Sequence, residues 1–559
     1  MKRVVDWLYP DPSRPLTQVW ISAMWMGLVA NWPLWKHLQT LPDLTGARGL
    51  VFIVTFAGMV TAATGALLSL LAWPRLIRPV LTVLLVASGS LAYFIHSYGI
   101  VFDPTMVVNL VQTDVRETRD LLSLRLLLTV LVIGLVPAAW LWMQAKAPRQ
   151  ALLKRVGGNL ASFFLGIAVM VGLALAVFAD LSSTMRNHKS LRYMVTPLNA
   201  VYSVTAAAVR SQAAPIGPPE VIGADAHLLP RPEGAKPPLL LLVVGETARS
   251  MNFSLNGYGR QTNPELAKLP VVSMRDVTSC GTATAASLPC MFSPLGRSRF
   301  VDLKGTQENL LDVLQRAGLA VLWLDNQSGC KGLCDRVPNS PTSKLPEGAK
   351  PLPETLCSRD AMGESECFDE ALLHELDKRI ATLDPQRLHR GLVLVMHQMG
   401  SHGPAYFKRS PTDLELFKPE CQSNALQQCK REEVVNGYDN TIATTDRLLA
   451  RSIAWLQTQS ERFAAGMLYV SDHGESLGEN GLYLHGMPYA MAPREQTQVP
   501  MILWVPAGGD LDRALKPGCL AALRDRSASH DNLFHTVMGW VGARADVYQP
   551  AQDLLAGCR

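Results

Sequence analysis

Five long apolar runs crowd the first third of this 559-residue chain and limit its fold more than any other feature. They cover residues 16–35, 50–73, 80–98, 121–143 and 160–179. A helix of about 20 apolar residues is long enough to cross a bilayer, and buried core helices are rarely so long or so numerous. The sequence therefore predicts an N-terminal α-helical membrane domain with about five transmembrane helices.

The distribution of charge predicts the orientation of these helices. Basic residues cluster before the first run and in the second and fourth loops: Lys2, Arg3, Arg14, Arg75, Arg78, Lys146, Arg149, Lys154 and Arg155. The third loop carries acidic residues instead: Asp103, Asp114, Glu117 and Asp120. Because basic loops stay in the cytoplasm, an odd number of spans places the rest of the chain outside it. The first run lacks a cleavage site and is expected to remain as an anchor.

Two properties of the composition agree with this orientation. All ten cysteines lie between positions 280 and 558, which indicates an oxidising compartment for the C-terminal part alone. The net charge of +5 is too small to indicate nucleic-acid binding, so no nucleic-acid partner is expected.

The pattern changes to that of an α/β protein after Pro238. Short apolar runs, typical of buried parallel strands, occupy residues 239–244, 320–324, 391–396, 467–470 and 501–505. Helical patterns lie between them at residues 309–317, 371–381 and 439–457. This alternation predicts a doubly wound sheet. We expect a transmembrane domain at 1–180, a bridging amphipathic helix and linker at 181–237, and a catalytic domain at 238–559.

A run of small and hydroxyl residues at 279–293, SCGTATAASLPCMFS, is a candidate for the reactive segment. A helix that opens within it would direct backbone amides toward an anion such as phosphate. A threonine hydroxyl needs a base or a metal before it can attack phosphorus. The alternative interpretation is a threonine-rich turn closed by a disulfide.

Acidic and imidazole side chains follow several of the predicted strands. These residues, with nearby polar ones, are Glu246, Asp325, Ser328, Lys331, His397, His402, Asp472, His473 and His485. Sites in doubly wound folds lie at the carboxyl ends of the strands. A mixed set of oxygen and nitrogen ligands suits zinc, so the sequence predicts a zinc site there.

These motifs resemble those of the phosphoethanolamine transferases of Gram-negative bacteria, within the alkaline phosphatase and sulfatase superfamily. The resemblance is strongest to the enzymes that modify lipid A, including the mobile colistin-resistance enzymes. It covers nearly the whole chain, and five motifs carry it: GETAR at 245–249, TSCGTAT at 278–284, SGCKG at 328–332, GSHGP at 400–404 and SDHGESLGE at 471–479.

The resemblance implies a role for each matching residue. Thr284, rather than Thr282, is the hydroxyl that carries phosphoethanolamine, and the zinc ligands are Glu246, Thr284, Asp472 and His473. His402 and His485 match residues that bind a second metal or the transferred phosphate group. Ser328 and Lys331 match residues that contact the headgroup, as do Asn109, Thr113 and Glu117, which share one face if they lie on a helix. His397 is expected beside the ligands.

The same resemblance implies the substrates and the location. Phosphatidylethanolamine is the expected donor and a lipid A phosphate the expected acceptor. The protein is expected to be a monomeric, multi-pass protein of the bacterial inner membrane with its catalytic domain in the periplasm. Polymyxin resistance is the expected effect. Spacing alone leaves many disulfide pairings open. The resemblance favours the simplest, between neighbours: Cys280–Cys290, Cys330–Cys334, Cys357–Cys367, Cys421–Cys429 and Cys519–Cys558.

Three other functions would share part of this pattern. A phosphoglycerol transferase would share the spans and the threonine, but the many cysteines and the TSCGTAT context argue against it. A sulfatase would need a Cys/Ser-x-Pro-x-Arg motif, which does not surround Cys290 or Ser287. A non-catalytic scaffold would not need every candidate residue to be intact. Core sugars of lipopolysaccharide and periplasmic glucans remain alternative acceptors.

Overall fold

A computed structural model describes residues 11–113, 115–147, 150–188, 190–213, 217–359 and 365–559. Lys2, Arg3, Asp114 and Arg149 lie outside the described residues, as does the side chain of Glu117. The chain forms two compact units. The first comprises Met1–Val107 and Leu121–Val209, and the second comprises Val108–Asp120 and Arg210–Arg559.

The first unit is helical. Four of its described helices are long and apolar enough to cross a membrane: Gly46–Ser69 (α3), Ile77–Tyr98 (α4), Leu124–Met143 (α7) and Leu152–Ala176 (α8). The first expected span is broken instead. It forms Pro15–Met24 (α1), a π-helical continuation Trp25–Ala30, and Trp32–Gln39 (α2). At the break, Asn31 donates hydrogen bonds to the carbonyls of Met26 and Thr196, 2.8 and 2.5 Å away.

Two expected helices are also interrupted. The third loop forms Pro104–Gln112 (α5) and Val115–Leu121 (α6), so Thr113 directly follows α5. Its Oγ1 still donates to the carbonyl of Asn109, one turn earlier, over 2.8 Å. The bridging segment forms Phe178–Asn187 (α9), Leu191–Met194 (α10) and Leu198–Ala213 (α11). Pro197 explains the second break, because proline lacks a donor and disfavours a helical conformation in the residue before it.

The second unit is built on an eight-stranded sheet in the order β13-β3-β12-β9-β2-β8-β4-β5. In chain order these strands are Pro238–Gly245 (β2), Val271–Thr278 (β3), Ala320–Asp325 (β4), Asn339–Pro341 (β5), Leu392–His397 (β8), Ala464–Ser471 (β9), Gln498–Trp504 (β12) and Ala528–Ser529 (β13). The shorter strands are His227–Leu228 (β1), Cys357–Arg359 (β6), Ser365–Cys367 (β7), Ser476–Leu477 (β10), Tyr483–Leu484 (β11) and Ala543–Arg544 (β14).

Strands β4, β8, β2 and β9 are parallel, as expected, but β12 runs antiparallel to both of its neighbours, β3 and β9. The sheet is therefore mixed. An apolar run that is buried on both faces has the same composition in either direction, so the sequence pattern of β12 did not reveal its orientation.

Alternate side chains of β2 enter two cores. Leu240, Leu242 and Val244 pack on one face, and Leu239, Leu241 and Val243 on the other. Thr284–Met291 (α12), Leu310–Arg316 (α14) and Leu533–Trp540 (α21) contribute to the first core, whereas Arg431–Thr458 (α17) covers the second. The remaining α-helices among the described residues of this unit are Gly296–Phe300 (α13), Leu376–Ile380 (α15), Pro385–Arg390 (α16), Arg494–Thr497 (α18), Asp510–Ala514 (α19) and Cys519–Ala522 (α20). Both faces of the sheet are covered, as in doubly wound proteins.

All five expected disulfides are present, which confirms the neighbour pairing. No free cysteine occurs among the described residues. Cys280–Cys290 joins the loop before α12 to that helix, and Cys330–Cys334 closes a short turn after β4.

Candidate active site

The carboxyl ends of the four parallel strands meet at one edge of the sheet and carry the candidate residues. Glu246 follows β2, Asp472 and His473 follow β9, and His397 ends β8. Glu246, Asp472 and His473 are fully buried. Such burial of two carboxylates and an imidazole is costly unless they are paired or hold a metal.

Thr284 reaches this cluster from the first position of α12. Its Oγ1 donates a hydrogen bond to Glu246 Oε2 over 3.0 Å and lies 3.4 Å from His473 Nε2. The loop before α12 packs closely against that helix because residue 281 is glycine. A Cβ at Gly281 would lie 2.8 Å from the backbone nitrogen of Ser287. The loop and the helix therefore pack closely enough to bring the hydroxyl to the strand ends.

A second glycine allows the loop after β8 to approach Glu246. Gly400 has a φ of +52°, and a Cβ on it would lie 2.6 Å from the carbonyl oxygen of Glu246. Few residues other than glycine adopt this backbone region without strain. The following residues bring His402 to the site.

Glu246, Asp472 and His473 fit a metal. One ligand atom from each lies within 4.8 Å of the others. His473 Nδ1 pairs with the Gly474 carbonyl over 3.0 Å, which leaves Nε2 as the ligand nitrogen. Asp472 Oδ2 is buried and has no hydrogen-bond partner among the described residues. A carboxylate oxygen in this situation is suited to a cation, and the mixed oxygen and nitrogen set suits zinc.

The pKa values of Glu246, Asp472 and His473 also indicate that a positive charge stabilises this cluster. Burial, with the charge of Glu246, raises the pKa of Asp472 to about 7. Although burial opposes it, pairing with His473 lowers the pKa of Glu246 well below its usual value. The pKa of His473 rises to about 10 despite burial, because Asp472 and Glu246 stabilise its charged form. A divalent cation would supply the charge that a proton on His473 otherwise provides.

A small pocket of about 50 Å³ opens above Thr284. Ten residues line this catalytic pocket, and seven of them were predicted from the sequence: Asn109, Thr113, Thr284, Ser328, Lys331, His402 and His485, with Gln112, Ala285 and Gln327. The structure thus brings the predicted headgroup residues to the predicted nucleophile. Of the predicted set, Glu117 lies outside the described side chains.

One lysine and two histidines supply the basic groups of the catalytic pocket. Lys331 Nζ donates to Ser328 Oγ over 3.0 Å and to the Gln112 carbonyl over 3.3 Å. His485 Nδ1 pairs with Glu475 Oε2 over 2.9 Å, which fixes the imidazole ring. The rings of His402 and His485 have centroids 5.6 Å apart.

His397 lies outside the ligand cluster. Its Nδ1 is 3.3 Å from Asp325 Oδ2 at the end of β4. Burial lowers the pKa of His397, but the charge of Asp325 outweighs this effect and raises it. Glu246 and Asp472 also favour the protonated imidazole of His397, whose charge Asp325 balances, so the pair suits a supporting electrostatic role.

Sequence reasoning missed four residues that support the site. Gln327 Nε2 donates to Glu246 Oε2 over 2.8 Å, and Thr247 Oγ1 donates to Glu246 Oε1 over 2.5 Å. Glu475 holds His485, and His530 Nδ1 accepts a hydrogen bond from the Cys280 amide over 3.0 Å. Thr247 and Glu475 lie inside recognised motifs and Gln327 adjoins one, whereas only a short polar run, Ser-His-Asp-Asn, marks His530.

Comparisons with known proteins agree with this geometry. Residues 238–543 match the Sulfatase family, and residues 60–212 match the family Phosphoethanolamine transferase EptA/EptB. The chain is 37% identical to phosphoethanolamine transferase EptA of Escherichia coli K12 over 96% of each chain. It is also 37% identical to phosphatidylethanolamine transferase Mcr-1 of Escherichia coli, over 96% of this chain and 97% of the relative.

A solved structure matches over nearly the full length. It is the integral membrane protein lipooligosaccharide phosphoethanolamine transferase A of Neisseria meningitidis, with a TM-score of 0.89 and 32% identity. The match covers 97% of this chain and 98% of that one. Both units therefore have a counterpart in one known protein.

Proposed function

Because the chain belongs to the phosphoethanolamine transferase family, we propose that it transfers phosphoethanolamine from phosphatidylethanolamine to a phosphate of lipid A. One observation carries this proposal. A threonine hydroxyl, Thr284 Oγ1, lies 3.0 Å from Glu246 Oε2 at the base of a pocket lined by Ser328, Lys331, His402 and His485. A hydroxyl below a lysine and two imidazoles, which are groups able to bind phosphate, suits transfer through a covalent threonine ester.

Glu246, Asp472 and His473 would hold zinc together with the Thr284 oxygen. When bound, zinc lowers the pKa of a hydroxyl and withdraws charge from a phosphoryl oxygen. The protein contributes the orientation. The Thr284 proton is directed at Glu246 Oε2, so the lone pairs of Oγ1 face elsewhere, and Gln327 holds the same carboxylate oxygen from the other side.

In the first half-reaction, Thr284 Oγ1 forms a bond to the phosphorus of phosphatidylethanolamine. The bond from phosphorus to the glycerol oxygen breaks, and the released diacylglycerol gains the proton that the hydroxyl lost. The positive charge of Lys331 and the polar imidazoles of His402 and His485 stabilise the phosphoryl oxygens as charge shifts onto the leaving group.

In the second half-reaction, an oxygen of the acceptor phosphate forms a bond to the same phosphorus. The bond to Thr284 Oγ1 breaks, and the hydroxyl regains a proton. The start of α12 assists both steps, because the backbone amides of a helix N-terminus favour nearby negative charge. We place these steps in the periplasm, beside the inner membrane that holds the donor.

Mass spectrometry of lipid A tests the proposal. We expect expression in a susceptible Gram-negative host to add phosphoethanolamine mass to lipid A and to raise polymyxin tolerance. The added amine reduces the negative charge that attracts polycations. Thr284→Ala should produce neither effect. If the added mass occurs on core sugar or periplasmic glucan instead, the lipid A acceptor is wrong although the transferase chemistry stands.

A further inference from the structure

A second cavity of about 300 Å³ adjoins the catalytic pocket, and Lys331 lines both. We call it the side cavity. Its walls come from the region after β3 and the turn after β4, and include Pro289, Ser293, Phe300, Leu303, Gln307 and Lys331. Every wall residue belongs to the second compact unit. None of the roles proposed above uses this space.

The catalytic pocket is too small to hold the acceptor. Its volume of about 50 Å³ is far below that of sites which enclose a whole small molecule, about 300 Å³ or more. The body of any acceptor must therefore lie outside it. The side cavity is within the size range of small-molecule sites, which begins at about 300 Å³.

The walls suit a sugar ring. Phe300, Leu303 and Pro289 offer apolar surface, and Ser293 and Gln307 add a hydroxyl and an amide, with Gln307 Nε2 donating to Ser293 Oγ over 2.6 Å. A sugar has apolar ring faces and a rim of hydroxyl groups, so it can use both kinds of wall. A diacylglycerol lacks such a rim and would leave the remaining hydrogen-bonding capacity of Ser293 and Gln307 unused.

The charges of the wall direct a phosphate toward the catalytic pocket. Arg336 pairs with Asp312, and Glu308 pairs with Arg316. Lys331 donates to two uncharged groups, and no carboxylate pairs with it among the residues that the structure describes. Its charge is therefore available where the two cavities meet. Asp335 lies exposed on the rim, where it can accept hydrogen bonds from hydroxyls.

The side cavity also lies at a suitable distance from Thr284 for a sugar phosphate to reach this nucleophile. Pro289 lies five residues after Thr284 on the same helix, α12. A rise of 1.5 Å per residue separates them by about 8 Å along the axis. A sugar in the side cavity would therefore be close enough for a phosphate on it to reach the catalytic pocket.

We propose that the side cavity binds the phosphorylated sugar of the acceptor glycolipid during the second half-reaction. This inference rests on the proposed function, because it assigns a place to the acceptor of that reaction. It separates the two substrates: the donor headgroup uses the catalytic pocket alone, and the acceptor uses both cavities.

Separate measurement of the half-reactions on the purified full-length protein tests this inference. Thr306 is exposed on the cavity wall, so Thr306→Trp should fill the space without disturbing the core. We expect it to slow transfer to lipid A by about tenfold or more, as exclusion from a shaped site does. Single-turnover release of diacylglycerol and the mass of the Thr284 ester should not change. Val301→Trp, at an exposed neighbour outside the cavity, is the matched control.

Phe300→Ala provides a second test that adds no bulk. It should raise the KM for lipid A and leave diacylglycerol release unchanged, since the sugar loses an aromatic surface. Equal losses in both half-reactions, or normal transfer by Thr306→Trp and Phe300→Ala, would overturn the proposal. A wild-type protein that releases no diacylglycerol and forms no Thr284 ester would refute the proposed function instead.

Discussion

Thr284 Oγ1 donates a hydrogen bond to Glu246 Oε2 over 3.0 Å, which connects the start of α12 to the end of β2. Of the two threonines in this loop, Thr284 is therefore the one whose hydroxyl faces the ligand cluster. Thr282 faces elsewhere, because its Oγ1 donates to the Met487 carbonyl over 2.6 Å. The two threonines of the same loop therefore have different expected roles.

We expect Thr284→Ala to lower transfer by about three orders of magnitude or more, since no other hydroxyl replaces the nucleophile. Stability should change by only about 1 kcal/mol, the value of one hydrogen bond. Thr282→Ala should lose similar stability but keep transfer within about tenfold of the wild type. Phosphoethanolamine transfer and chemical denaturation measure the two effects. Full activity of Thr284→Ala would refute the assignment.

Zinc content tests the ligand cluster independently of activity. Asp472→Asn and His473→Gln should each weaken zinc binding by at least about tenfold, because a ligand is lost from a small buried set. Asp325→Asn is a suitable control, since Asp325 is also buried at a strand end but pairs with His397. Metal analysis of the purified full-length variants gives the result. Equal zinc in all of them would show that the ligands are misassigned.

Asp120 connects the segment that carries Asn109 and Thr113 to the sheet domain of the same compact unit. It pairs with Lys408 and Arg409, and Asn424 donates to its carbonyl over 2.6 Å. Arg409 also donates to the His402 carbonyl over 3.2 Å. Asp120 is therefore connected through Arg409 to His402, a residue of the catalytic pocket.

We expect Asp120→Asn to raise the KM for phosphatidylethanolamine by about tenfold, because the headgroup residues lose an anchor that involves a buried charge. Zinc content should not change. Lys408→Ala should have a smaller effect, since its side chain is 37% exposed and such ion pairs contribute little. The kinetics of diacylglycerol release distinguish the variants. An unchanged KM in Asp120→Asn would contradict the anchoring role.

His530 predicts a dependence of stability on acid. Its Nδ1 accepts the Cys280 amide, and its Nε2 donates to the Ser471 carbonyl over 2.9 Å. Ser287 Oγ lies 3.3 Å from Nδ1, and no carboxylate is hydrogen-bonded to the ring among the described residues. Burial, with a smaller contribution from the charge of His473, lowers the pKa of His530 to about 4.

The folded state therefore binds fewer protons than the unfolded state between about pH 6.5 and 4. The contribution of neutral His530 to the free energy of unfolding is fully present above pH 6.5. It decreases as the pH falls toward 4, by about 3 kcal/mol in total. His530→Gln should be less stable at pH 7 but should lose less stability on acidification. Denaturation of both proteins from pH 8 to 4 checks this. The difference in the free energy of unfolding between the wild type and His530→Gln should be constant above pH 7. If the free energies of both proteins fall in parallel below pH 6.5, the prediction is refuted.

The sequence by itself determined four of the five expected membrane helices, the α/β domain and the residue types of the site. Long apolar runs, short apolar strands and motifs such as GETAR are local properties, so they can be read without coordinates. The ten cysteines show why resemblance was also needed. Their pairing was confirmed, but spacing alone allowed many other connectivities.

Only the tertiary structure decided which side chains meet. The antiparallel direction of β12 depends on hydrogen bonds to β3 and β9, which an apolar run does not encode. The contacts of Gln327 with Glu246 and of Gln112 with Lys331 join residues 81 and 219 positions apart. Sequence periodicity reports on neighbours within one helix or strand, whereas a site at strand ends is formed by packing between distant segments.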